Sequence, residues 1–118
     1  AWRIYDDVLE SIDRLRISGY SVAVASNFDA RLRRILVEME VQDRFDEVFI
    51  SSELGWSKPN IQFYHAAATR LGVDDPSKLL MIGDTHHGDV IAARQAGWDA
   101  RHLIRNQDLG LSELTSDL

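Results

Sequence analysis

Leu79-Leu80-Met81-Ile82-Gly83-Asp84-Thr85-His86-His87-Gly88-Asp89 carries the main structural signal of the chain. Leu79 to Ile82 is continuously apolar, without alternation, and reads as a strand buried on both faces. Gly83 follows with no side chain, and then two acids, Asp84 and Asp89, flank a turn that holds His86 and His87. A helix over roughly 90–96 comes next and stops at Gly97, a residue that takes the left-handed C-terminal conformation without a Cβ clash.

The same order recurs toward the N-terminus. Tyr5, Val8, Leu9, Ile12 and Leu15 repeat at three- and four-residue steps, which predicts a helix ended by Gly19. Tyr20 to Ala25 reads as a short buried strand that runs into the polar turn Ser26-Asn27-Phe28-Asp29. Asp29 is placed to cap a second helix with Leu32, Ile35, Leu36 and Met39 on its apolar face. Glu47 to Ser51 reads as a strand, followed by a loop with Gly55, Trp56 and Lys58-Pro59. Trp56 is expected to pack beneath that loop. Asn60 then caps a third helix that reaches about Leu71 and is closed by Gly72. Beyond the central run, Ala100 to Ile104 reads as a fourth strand and Asn106 to Leu118 as a polar tail with spaced leucines.

Helix and strand thus alternate, and uniformly apolar strands need helices on both sides. The expected fold class is α/β, a Rossmann-like three-layer α/β/α arrangement around a mainly parallel sheet. Length agrees, because 118 residues suffice for one domain and not two. A 45% hydrophobic and 27% charged composition is that of a globular chain. The formal charge of -6 disfavours nucleic acid as a partner. No apolar stretch approaches the ~20 residues that span a bilayer, so no membrane partner is expected. The absence of cysteine removes disulfides and thiolate chemistry and suits a cytoplasmic protein. The beginning Ala1-Trp2-Arg3-Ile4-Tyr5 has neither a start Met nor a signal-peptide pattern, which suggests a fragment.

In open parallel sheets ligands sit outside the carboxyl ends of the strands, and Ser26, Asn27, Asp84 and Asp89 all fall there. Ser26 and Asn27 offer a hydroxyl and backbone N–H groups, which suit a phosphate; a plain strand-to-helix turn is the alternative. Lys58 can neutralise a phosphoryl group or be one more solvated charge. Asp84 and Asp89, with glycines on both sides, can hold Mg²⁺, which takes one or two carboxylates plus water and substrate oxygens; otherwise they end a strand and cap a helix. His86 and His87 are adjacent and point apart, so they read as loop histidines and not as zinc ligands. Together, an anion donor, a cation and a carboxylate pair are what phosphoryl transfer needs.

Val22-Ala23-Val24-Ala25-Ser26-Asn27-Phe28-Asp29, Gly55-Trp56-Ser57-Lys58-Pro59 and Met81-Ile82-Gly83-Asp84 through Asp89 to Ala96-Gly97 resemble, in order, the second, third and fourth motifs of the haloacid dehalogenase superfamily of hydrolases. The Arg31-Leu32 continuation is similar to its haloacid dehalogenase-like hydrolase domain-containing 3 type. The resemblance implies a Mg²⁺-dependent phosphatase acting on a small phosphorylated substrate through an aspartyl-phosphate. Ser26 and the Asn27 N–H would bind the phosphoryl group and Lys58 would offset its charge. Asp84 would bind Mg²⁺, and Asp89 would support the metal or orient Lys58. The Gly-Asp form of the fourth motif favours a phosphatase over a 2-haloacid dehalogenase. Asn60 and Ile61 depart from the family's usual Asp-Pro.

The family's first motif, Asp-x-Asp on a central strand, occurs nowhere in the 118 residues. The chain is therefore expected to be residues 1–118 of a partial core, with the first strand and the cap domain missing and no turnover of its own. A non-catalytic module that binds a phosphorylated ligand is the rival reading. The missing strand would lie between those ending at Ser26 and Gly83, which predicts either a slot in the sheet or imperfect pairing of those two strands.

Overall fold

The computed structural model describes residues 6–103 and 111–118. In chain order they form α1 (Asp6–Ile17), β1 (Ala23–Ser26), α2 (Arg31–Glu38), β2 (Glu47–Ile50), α3 (Ser51–Leu54), α4 (Ile61–Leu71), β3 (Leu80–Gly83), a π turn (His86–Ile91) that continues into α5 (Ala92–Gln95), β4 (Asp99–His102) and α6 (Leu111–Leu114). Tyr5, Ile104 and residues 106–110, which the sequence assigns to the first helix, the last strand and the tail, lie outside the described residues.

All strand pairing is parallel, β1 with β2 and β3 with β4. Side chains on the first pair divide cleanly between two layers. Ala23, Ala25 and Phe49 pack with Phe63, Tyr64 and Ala67 of α4 and with Ala92, Ala93 and Ala96 around α5. Val24, Val48 and Ile50 pack instead with Leu9 of α1 and with Leu32 and Leu36 of α2. Successive residues of a strand point to opposite faces, so helices cover this sheet on both sides. The fold is the expected three-layer α/β/α arrangement. Phe63, Tyr64 and Ile50 are each 0% exposed, and burying a side chain of that size contributes about 1.5–3 kcal/mol.

Strand order, however, is interrupted. Among the described residues β1–β2 and β3–β4 are two separate two-stranded sheets, with no pairing between β1 and β3. Of the two expectations, the slot is the one observed. It also explains a correction: every residue of β1 is half-buried, whereas the sequence reads as a strand buried on both faces. β1 starts at Ala23, and Tyr20 is 47% exposed outside it.

Other differences have local causes. Ala30 stands at the cap position of α2, and the Asp29 carboxylate accepts the Arg31 N–H at 3.0 Å from one residue earlier. Asn60 caps α4 as expected, accepting the Gln62 N–H at 2.9 Å, and Gly72 closes it at φ 69°. Trp56 is exposed and does not pack beneath its loop. The tail is not a polar extension: Arg14 donates to the Thr115 carbonyl at 3.0 Å and Arg101 to the Leu114 carbonyl at 2.7 Å, which docks α6 against α1 and β4. Among the described residues no helix is long and apolar enough to cross a membrane.

Candidate functional site at the carboxyl ends of the strands

Lys58 is the centre of the site. Its ammonium donates to Asp89 Oδ1 at 2.7 Å and to the Ala25 carbonyl at 3.2 Å. Both members of the ion pair are largely withdrawn from water, with side chains 13% and 6% exposed. The Ala25 carbonyl is available for a strand-geometry reason. Val22 O accepts the N–H of Asp46, the residue just before β2, at 2.7 Å. Polar backbone groups alternate sides along a strand, so those of Ala25 face away from β2 and into the slot. Lys58 thus joins the end of β1 to the π turn that follows β3.

The loop that presents Lys58 is held by Asn27. The Asn27 side-chain oxygen accepts the Lys58 N–H at 2.8 Å, and its amide nitrogen donates to the Lys58 carbonyl at 2.9 Å. The Asn27 side chain is therefore spent on positioning the lysine, and only its backbone N–H remains for the anion role expected of it. Ser26, between the two points that touch Lys58, is half-buried, and its hydroxyl makes no hydrogen bond to the described residues. Ser51 steadies the same turn by accepting the Phe28 N–H and donating to the Phe28 carbonyl, both at 3.0 Å.

Asp89 is 5% exposed and lies inside the π turn, where the sequence reads a loop before the helix. Its second oxygen accepts the Thr85 N–H at 3.1 Å. Gly83 makes this possible: a Cβ built there would overlap the Asp89 carboxylate. Asp84, the last of the expected site residues, turns its carboxylate to solvent at the end of β3, with one long contact from Thr85 Oγ1 at 3.4 Å. Asp84 and Asp89 are thus unlike. The first is exposed and lightly held; the second has one oxygen on an ammonium and the other on an amide. Among the described residues no three His, Cys, Asp or Glu side chains cluster as a ready-made metal cage.

Tyr64 is a positioning residue that the sequence reading missed. It is fully buried, and its hydroxyl donates to the Gly88 carbonyl at 2.6 Å, holding the turn that carries Asp89. Burial, reinforced by the Asp89 charge, pushes this hydroxyl well above its ordinary pKa of 10.0, so it stays a donor. A tyrosine at a core position of a helix needs a partner for its hydroxyl, which is the signal available in the sequence. Trp98 packs edge-on against it, ring centroids 5.3 Å apart.

The site therefore gathers Asn27, Lys58 and Asp89 in direct contact, with Ser26 beside them and Asp84 joined through Thr85. Comparisons with known proteins give the family. Residues 1–97 match the family of haloacid dehalogenase-like hydrolases. The chain is 33% identical over 96 residues to haloacid dehalogenase-like hydrolase domain-containing protein 3 of Bos taurus, covering 81% of this chain and 38% of that protein. It is 30% identical over 112 residues to glyceraldehyde 3-phosphate phosphatase of Methanothermobacter thermautotrophicus, covering 94% and 48%. A solved HAD phosphatase from Thermococcus onnurineus superposes with a TM-score of 0.83 at 28% identity, over 92% of this chain and 50% of that one. The chain spans half or less of the length of each. With the match running through all three strand-end segments that build the site, the chain belongs to the haloacid dehalogenase-like hydrolases.

Proposed function

We propose that this chain supplies the phosphate- and metal-binding part of a Mg²⁺-dependent phosphatase that acts on small phosphate esters. The observation that carries the reading is the buried Lys58 ammonium, held by Asp89 and by the end of β1 at the mouth of the slot. A cation fixed there meets the charge of a phosphoryl group without reorganising, which is how preorganised sites lower a barrier. The Ser26 hydroxyl and the Asn27 N–H bind phosphoryl oxygens, and Asn27 keeps Lys58 aimed at them. Asp84 suits Mg²⁺, since it is an exposed, lightly held oxygen donor at a strand end. Asp89, already bonded on both oxygens, acts by orienting Lys58 and not as a direct ligand. Mg²⁺, when bound, would offset charge on the phosphate oxygens.

The attacking group is an Asp that these 118 residues do not include, because no Asp-x-Asp occurs in them. The 118 residues are then a partial core that binds phosphate and does not turn over, since covalent catalysis needs its nucleophile. The test uses the full-length protein with an aryl phosphate and Mg²⁺. Lys58→Ala and Asp84→Asn are each expected to lower kcat on the order of 10²-fold or more. Activity that survives both substitutions overturns the assignment. Hydrolysis of a 2-haloacid that persists in a chelator would favour the dehalogenase reading instead.

A further inference from the structure

Asp84 and Thr85 share one peptide bond, and both of its polar groups are held from outside. Its N–H, that of Thr85, donates to Asp89 Oδ2 at 3.1 Å. Its carbonyl, that of Asp84, lies 3.1 Å from the Nε2 atom of His102. A carbonyl only accepts, so Nε2 carries the hydrogen. His102 is brought there by β4, where it stands opposite Gly83 in register, and the next residue extends the ladder: the Leu103 N–H donates to the Gly83 carbonyl at 2.8 Å. The His86 ring packs on the His102 ring with centroids 5.2 Å apart, which restricts its rotation.

We propose that His102 is a positioning residue for Asp84: clamped between His102 and Asp89, the Asp84–Thr85 peptide has one plane, which fixes the direction in which the Asp84 side chain leaves the backbone. The consequence for metal binding rests on the reading of Asp84 as the Mg²⁺ ligand; the clamp itself does not. Asp89 then serves two partners with one carboxylate, Lys58 on one oxygen and this peptide on the other. Lys58, Asp89, the Asp84–Thr85 peptide and His102 form a continuous chain across the strand ends.

The test uses the full-length protein and the variants His102→Leu, which keeps bulk and loses the donor, and His102→Gln, which keeps an N–H at similar reach. Nitrogen NMR of the neutral ring should show the Nε2–H tautomer; the Nδ1–H tautomer overturns the proposal. Exchange of the Thr85 amide should quicken in His102→Leu and recover in His102→Gln; equal rates in all three overturn it. Mn²⁺, used as a paramagnetic stand-in for Mg²⁺, should bind roughly three- to tenfold more weakly to His102→Leu, the loss that one ordinary hydrogen bond allows, with recovery in His102→Gln. If Asp84→Asn weakens Mn²⁺ and His102→Leu does not, His102 has no positioning role. If Asp84→Asn leaves Mn²⁺ binding unchanged, the metal assignment fails, and the tautomer and amide exchange decide on His102 alone.

Discussion

Gly83 does its work by what it lacks. The Asp89 carboxylate occupies the space a β-carbon would fill, so the two positions, six apart in sequence, depend on each other. Gly83→Ala should push Asp89 off Lys58 and off the Thr85 amide at once, a forced overpacking worth about 1–3 kcal/mol. Urea unfolding reads it, and an unchanged midpoint would mean that Asp89 has room to retreat. The glycine and both acids stand out in the sequence, but their division of labour does not. Two carboxylates near a strand end look alike on paper. Burial separates them, leaving Asp84 at the surface and Asp89 5% exposed against an ammonium.

One helix follows local rules closely. α4 begins and ends where Asn60 and Gly72 place it, because capping and left-handed closure depend on neighbours in sequence. Asn60→Ala should therefore cost about 1 kcal/mol in a thermal or urea melt, and no loss would show that the cap is redundant. The element that escaped local rules is the π turn at His86–Ile91. Its widened turn lets Gly88 and Asp89 meet Tyr64 from another helix, with a bond of 2.6 Å to the Gly88 carbonyl. A tertiary contact of that kind has no local signature. The docking of α6 is similar, since spaced leucines in a polar tail do not reveal what they will meet. Here the Arg101 guanidinium holds the Asp117 carboxyl below its ordinary value of 3.8, chiefly through their side-chain hydrogen bond. A depressed carboxyl stabilises the fold fully above its unfolded pKa and loses that contribution as pH falls through the folded one. Acidification through that range should thus weaken the Arg101–Asp117 contact beside α6 while neutral pH keeps it, and Arg101→Leu should return the Asp117 titration, followed by carbon NMR, to the ordinary carboxylate range. A titration that does not move in the variant would show that the pair is not responsible.

For the whole molecule the interruption between β1 and β3 is the dominant feature. Alternation along parallel strands turns the backbone groups of Ala23, Ala25, Leu80 and Ile82 toward the slot, while Val22, Leu79 and Gly83 serve the partner strands. Among the described residues Lys58 is the group that reaches into this gap, at the Ala25 carbonyl. Hydrogen exchange in the 118-residue chain should accordingly be faster at Ala23, Ala25, Leu80 and Ile82 than at the amides of Asp46, Asp99 and Leu103, which bond across the pairs. Full protection of both strands would mean that the slot closes in solution.

Alternating helix and strand signals, the caps of α4 and the strand-end placement of Ser26, Asn27 and Asp84 were legible along the chain, because periodicity, capping and strand-end placement are short-range properties. Long-range contact settled the rest: which carboxylate was buried, that the Asn27 side chain was spent on holding a lysine, which tyrosine fastened a turn and how far the sheet was divided. Those outcomes depend on the energy of pairs brought together across the fold, and a residue type does not carry the identity of its eventual neighbour.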